Sequence, residues 1–171
     1  MEHLILPLDR WVHFLSGITW IGLLYYFNFV QAPAVAAASA DKGGPGPAAI
    51  SKYIAPLALL WFRWAAIVTW LSGAIYLHKF YSLQGAFMLG VGQHNLALTT
   101  IGMGAWLGTI MLFNVWVLIW PNQKKLLGMV PATDAEKARG KRVAFLASRT
   151  NTMLSIPLLL FMGAAAHGPL F

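Results

Sequence analysis

The sequence predicts an all-α protein: an integral membrane four-helix bundle with both termini on the outer side (N-out/C-out). Three observations predict it. Hydrophobic residues make up 58% of the 171 residues and charged residues only 10%, where a soluble domain has roughly a quarter of its residues charged. Four apolar runs each approach the ~20 residues that cross a bilayer. Apart from Arg63, the charges lie between those runs rather than in them. With a mean hydropathy of +0.64, the chain has too little polar surface for a soluble enzyme, a disordered tail or a disulfide scaffold. The absence of Cys excludes iron–sulfur clusters, Cys-ligated zinc, heme attached through Cys-X-X-Cys-His and any thiol nucleophile. The net charge of +7 would suggest nucleic acid in a soluble chain. Here the lipid bilayer is the expected partner, and no nucleic acid is.

The spans are expected at about 11–30, 56–78, 96–120 and 151–167, making one transmembrane domain over residues 1–171. Glu2 and Asp9 precede the first run without a basic n-region or a clear cleavage site, so the first helix is expected to be retained. The first connection, Gln31 to Tyr53, carries Gly43-Gly44-Pro45-Gly46-Pro47 and reads as a loop. The second, Lys79 to Asn95, is nearly uncharged. The third starts at Pro121 and includes Asp134-Ala-Glu-Lys-Ala-Arg, a short polar helix. The fourth run is short, and Pro157 is expected to kink it. Lys42, Lys52, Lys124, Lys125, Lys137, Arg139, Lys141, Arg142 and Arg149 fall on one side of the membrane; Arg10 and Lys79 fall on the other. The positive-inside rule then places the first and third loops in the cytoplasm and both termini in the periplasm of a bacterial inner membrane.

Four histidines carry the functional expectation. His13 opens the first span, His78 ends the second, His94 precedes the third and His167 ends the fourth. Alternating helix directions put all four at the outer end, where ionisable side chains are costly and usually functional. Gly17 shares a helix face with His13, and Gly163 with His167; a small neighbour leaves room for a flat macrocycle. The expectation is heme b, one or two, bound by these imidazoles as cofactor ligands. A His-only copper or zinc site is the alternative. The spans as drawn hold no carboxylate, which argues against a di-iron centre. Taken singly, each histidine is more simply an interfacial cap, and His3, outside the spans, is read that way. Arg63, in Trp61-Phe62-Arg63-Trp64, either snorkels to headgroups or pairs with a heme propionate or an anionic substrate. Asn28 and Asn114 are expected to hydrogen-bond across helices, and Gly104-Ala-Trp-Leu-Gly108 to allow close packing.

Several strings together resemble a known family: His13-Phe-Leu-Ser-Gly17-Ile-Thr-Trp20-Ile-Gly22 with Tyr25-Tyr26-Phe27; Trp61-Phe-Arg-Trp64 with Thr69-Trp70-Leu-Ser-Gly73; Gly108-Thr-Ile-Met111, Asn114-Val115 and Pro121-Asn-Gln-Lys124; and Ser155-Ile-Pro157 with Met162. The chain resembles the membrane domain of the urate oxidase N-terminal family, the N-terminal part of bacterial urate hydroxylases fused to cytochrome c. The resemblance implies a helical membrane module working with a c-type cytochrome. It places His13, His167 and Arg63 at the family's own histidine and basic positions. Fused relatives continue into a cytochrome c domain; this sequence ends at Phe171, so a stand-alone module is expected. The chain departs from the family's pattern at Ala65-Ala66, where relatives carry an acidic residue, and at Arg149-Thr150-Asn151-Thr152, which lacks a histidine. These departures weigh against urate chemistry. The expected function is a heme-b electron carrier, or a subunit of a larger respiratory complex, feeding a periplasmic c-type cytochrome. The alternatives are a heme-dependent oxidoreductase of the purine hydroxylase type and a non-catalytic accessory subunit packed against other membrane subunits.

Overall fold

The computed structural model describes residues 2–92 and 95–168, with backbone alone at residues 2, 3 and 166. Among the described residues the chain is entirely helical. Helix α1 (Glu2–Tyr25) passes through a wide π turn (Tyr26–Gln31) into α2 (Ala32–Ala40). A second π turn (Ile50–Ile54) leads into α3 (Ala55–Phe80). The short α4 (Leu83–Phe87) follows, then α5 (Leu96–Phe113), a third π turn (Asn114–Ile119), α6 (Trp120–Leu126) and α7 (Asp134–His167). These merge into four apolar rods: Leu4–Ala40, Ile50–Phe80, Leu96–Leu126 and Asp134–Ala165.

The rods outrun the apolar segments for local reasons. Ala32–Ala40, expected as loop, is two-thirds Ala and propagates the first helix until Asp41, which turns out of helical geometry. The Asp134 segment, expected as a separate polar helix, is the first part of α7. It starts at a capping box in which Thr133 and Glu136 satisfy each other's backbone N–H groups. α7 runs through Pro157 without interruption and has 34 residues, about 51 Å against a hydrocarbon core of ~30 Å. Each π turn is followed by a proline in the first turn of the next helix: Pro33, Pro56 and Pro121. A proline ring collides with the carbonyl four residues back and donates no hydrogen bond. Widening the preceding turn relieves both problems.

Interhelical contacts show an antiparallel ring. His13 meets Ser72 and Phe27 meets Phe62, so α1 and α3 run oppositely. Trp70 donates to Thr109 between α3 and α5. Asn114 bonds Asn151 on α7, and Tyr25 bonds Ser155, which closes α7 on α1. The core draws on all four rods, with Trp20, Leu24, Phe62, Ala66, Met111, Val115 and Leu158 buried together. A second cluster (Leu77, Ala86, Leu98, Ile101, Ala105) seats α4 between α3 and α5. There a Cβ on Gly102 would overlap the Ala86 carbonyl, so α5 needs bare backbone at that contact. Gly104 and Gly108 face Met162 and Leu158 of α7, the packing role expected of them. The connections that follow α2 and α6, with Lys42 and the neighbouring Lys124 and Lys125, lie at one end of the ring, called here the basic end. His13, His78 and His167 lie toward the other, called the outer end.

Candidate functional site

Of the expected ligands among the described residues, His13 is the one built into the bundle. Its Nδ1 lies 3.1 Å from Ser72 Oγ. The Ser72 hydroxyl has one proton, and it donates that proton to backbone: its oxygen is 2.7 Å from the Val68 carbonyl and 3.0 Å from that of Thr69. With that proton on a backbone carbonyl, Ser72 accepts from His13 Nδ1–H. In this tautomer the Nε2 lone pair is left as the donor for a metal. Gly73 makes the arrangement possible, because a Cβ there would stand 3.0 Å from His13 Cε1. Sequence reasoning missed both partners. The signal for them is the string Thr69-Trp70-Leu-Ser-Gly73, which puts a hydroxyl and a bare backbone side by side.

The other expected residues sit differently. Gly17 faces α3, with Thr69 Cγ2 3.8 Å from where its Cβ would be, so α3 fills the space foreseen for a macrocycle. Gly163 faces open space, with nothing within 4 Å. His78 is exposed in the last turn of α3, six residues past Ser72, hence about 9 Å farther out than His13. His167 is exposed in the last turn of α7. His94 lies outside the described residues. Among the described residues no three of His, Asp and Glu stand close enough to hold one metal ion. Convergence of all the imidazoles on one centre is thus not what the described histidines show. The helix register does put two of them at a common depth. Tyr25 meets Ser155, and counting back twelve residues on α1 and forward twelve on α7 brings His13 and His167 to one depth.

Between α1 and α7 the direct hydrogen bonds lie below that depth, at Tyr25–Ser155 and Asn28–Ser148. Nearer His13, Phe14 and Ile18 are 59% and 71% exposed. Two surface grooves, of about 320 Å³ beside Arg10, Trp11 and Phe14 and about 280 Å³ around Gln84 and Met88, are lined by none of the histidines. The outer halves of α1 and α7 thus present an open flank rather than a closed pocket.

Asp9 was missed for a definite reason. The apolar run begins at Trp11, but α1 begins at Glu2. Asp9 is therefore a helical residue one turn before His13 on the same face. Its Oδ2 is buried without a partner among the described residues. The i, i+4 spacing of Asp9 and His13 was the available signal, and the outer end of the bundle holds a carboxylate after all.

Arg63 lies away from the histidines, nine residues or about 14 Å toward the basic end from Ser72. Its guanidinium carbon lies 3.8 Å from the centroid of the Trp120 ring, and Trp116 Nε1 donates to the Arg63 carbonyl at 3.2 Å. Asn28 and Asn114 do bond across helices. Asn28 donates to Ser148 at 2.8 Å. Asn114 donates to Asn151, which donates in turn to the Met111 carbonyl at 3.0 Å.

Fold and site together define a multi-span helical membrane protein with one anchored imidazole and a neighbouring carboxylate at its outer end. The sequence pattern of the family described as urate oxidase N-terminal matches residues 1–101 and 94–171, and the chain belongs to that family. No curated protein and no solved structure matches it significantly.

Proposed function

We propose that this chain is a membrane electron-transfer module of the urate-hydroxylase-related kind, holding heme b at its outer end and passing electrons to a c-type cytochrome. The observation that carries the reading is the His13–Ser72 bond, which fixes the ring and frees Nε2. Metal-bound imidazoles ordinarily donate their second N–H to such a partner. The donor set suits heme iron, which takes one or two imidazoles, better than copper or zinc with three or four protein ligands. His13 would be the anchored ligand and His167, at matching depth, the second. Bound heme would supply one-electron transfer. Ser72 orients the His13 ring, Gly73 admits it, and the open α1/α7 flank gives edge access for a water-soluble acceptor. By the positive-inside rule the basic end faces the cytoplasm of a bacterial inner membrane, and the histidines face the periplasmic cytochrome.

A second reading, an oxidoreductase acting on a purine such as urate, draws support from the family match and from Asp9. That carboxylate beside His13 gives a proton acceptor at the same end. The deciding experiment is the reduced-minus-oxidised spectrum of protein produced with ample heme. A b-type spectrum is expected. It should disappear in His13→Ala, and its midpoint potential should rise in Ser72→Ala, where Nδ1–H loses its acceptor. A colourless, folded protein would overturn the heme assignment and leave an accessory subunit. Urate turnover without any cytochrome partner would favour the second reading.

A further inference from the structure

At the basic end, two cations share one indole. The Arg63 guanidinium lies 3.8 Å from the Trp120 ring centroid, and the Lys124 ammonium lies 6.0 Å from it, so the charges stand within about 10 Å of each other. Neither has a carboxylate partner among the described residues, where the one ion pair is Lys137–Asp134. Two like charges around one ring repel, and a bound anion between them would relieve that. The surroundings nonetheless hold them there. Trp120 and Lys124 are one turn apart on the same face of α6. The Trp116–Arg63 bond fixes that stretch against α3, and the Trp64 and Trp116 rings meet edge to face. A guanidinium carbon 3.8 Å from an indole centroid leaves N–H groups at the far side of the fork free to bond the oxygens of a phosphate.

We propose that Arg63, Trp120 and Lys124 form a binding site for the phosphate of an anionic phospholipid. Depth selects the lipid over a soluble anion. Arg63 is eight residues, about 12 Å, inside the start of α3, within a belt of Trp61, Trp64, Trp116 and Trp120. Trp61 and Trp64 are exposed on the rod surface, as indoles at a headgroup boundary are. An anionic headgroup closes the pair of charges from the lipid side, which a snorkelling arginine alone would not do.

The test is native mass spectrometry of delipidated protein titrated with phosphatidylglycerol or phosphatidylcholine of matched acyl chains. Wild type should prefer the anionic lipid by about fivefold per engaged cation. Arg63→Gln/Lys124→Gln should bring the two lipids to parity, while Lys141→Gln/Arg142→Gln, on exposed α7 positions, should keep the preference. If the double variant does not fold, Lys124→Gln alone should lower the preference several-fold. No preference in wild type, or a preference unchanged in folded variants, would overturn the site. Loss of phosphatidylglycerol binding in millimolar inorganic phosphate would show a soluble-anion site and overturn the lipid assignment.

Discussion

Asn151 is fully buried and spends its amide on two partners, accepting from Asn114 and donating to the Met111 carbonyl. Asn151→Leu leaves both without a mate inside the bundle. The cost should be about 1 kcal/mol, the scale of interhelical hydrogen bonds in membranes. It should appear as a lower Tm in detergent without loss of helicity, and an unchanged Tm would contradict it. The sequence exposed one half of this pair and hid the other. Asn114 stands out as a polar residue within an apolar run, whereas Asn151 sits at the margin of the fourth run among Arg149, Thr150 and Thr152. His13 was legible for the same reason as Asn114. Ser72 and Gly73 were not, because periodicity gives the face of a helix but not its register against a neighbour. Asp9 was lost to hydropathy itself, which marks where lipid begins rather than where the helix begins.

The helices as elements were legible in number and order, and their ends were not. Residues 32–40 and 134–150 are good helix formers that need not be apolar, so helices α2 and α7 continue where the hydrophobic runs stop. The uncharged second connection contains α4, which Ser82 caps by accepting from the Gly85 amide. Its docking depends on Gly102, where any side chain meets the Ala86 carbonyl. Gly102→Val should separate α4 from α5 and destabilise the protein by about 1–3 kcal/mol, the usual range for overpacking. Faster amide exchange across residues 83–92, with the α1/α3 pair unchanged, would locate the damage. Exchange that rises uniformly would show that α4 does not dock independently.

For the molecule as a whole, spans of alternating direction were enough to give the antiparallel ring, because short connections leave few other arrangements. Orientation can be read directly, since the chain has no Cys. Single cysteines at Gly43, where a Cβ meets nothing closer than 3.8 Å, and at the exposed Val91 should be labelled by impermeant maleimide from opposite faces of the inner membrane. Val91→Cys should react in intact spheroplasts and Gly43→Cys only after permeabilisation; the reverse pattern would invert the proposed topology. The proline-linked π turns have a molecule-wide effect as well. They interrupt the first and third rods and open the second, and each holds one residue more than an ordinary turn, rotating the helix beyond it by about 100°. In the first and third rods the two halves are therefore set out of phase, and a lipid-facing stripe traced along one half steps sideways on entering the other, while α7 runs straight through.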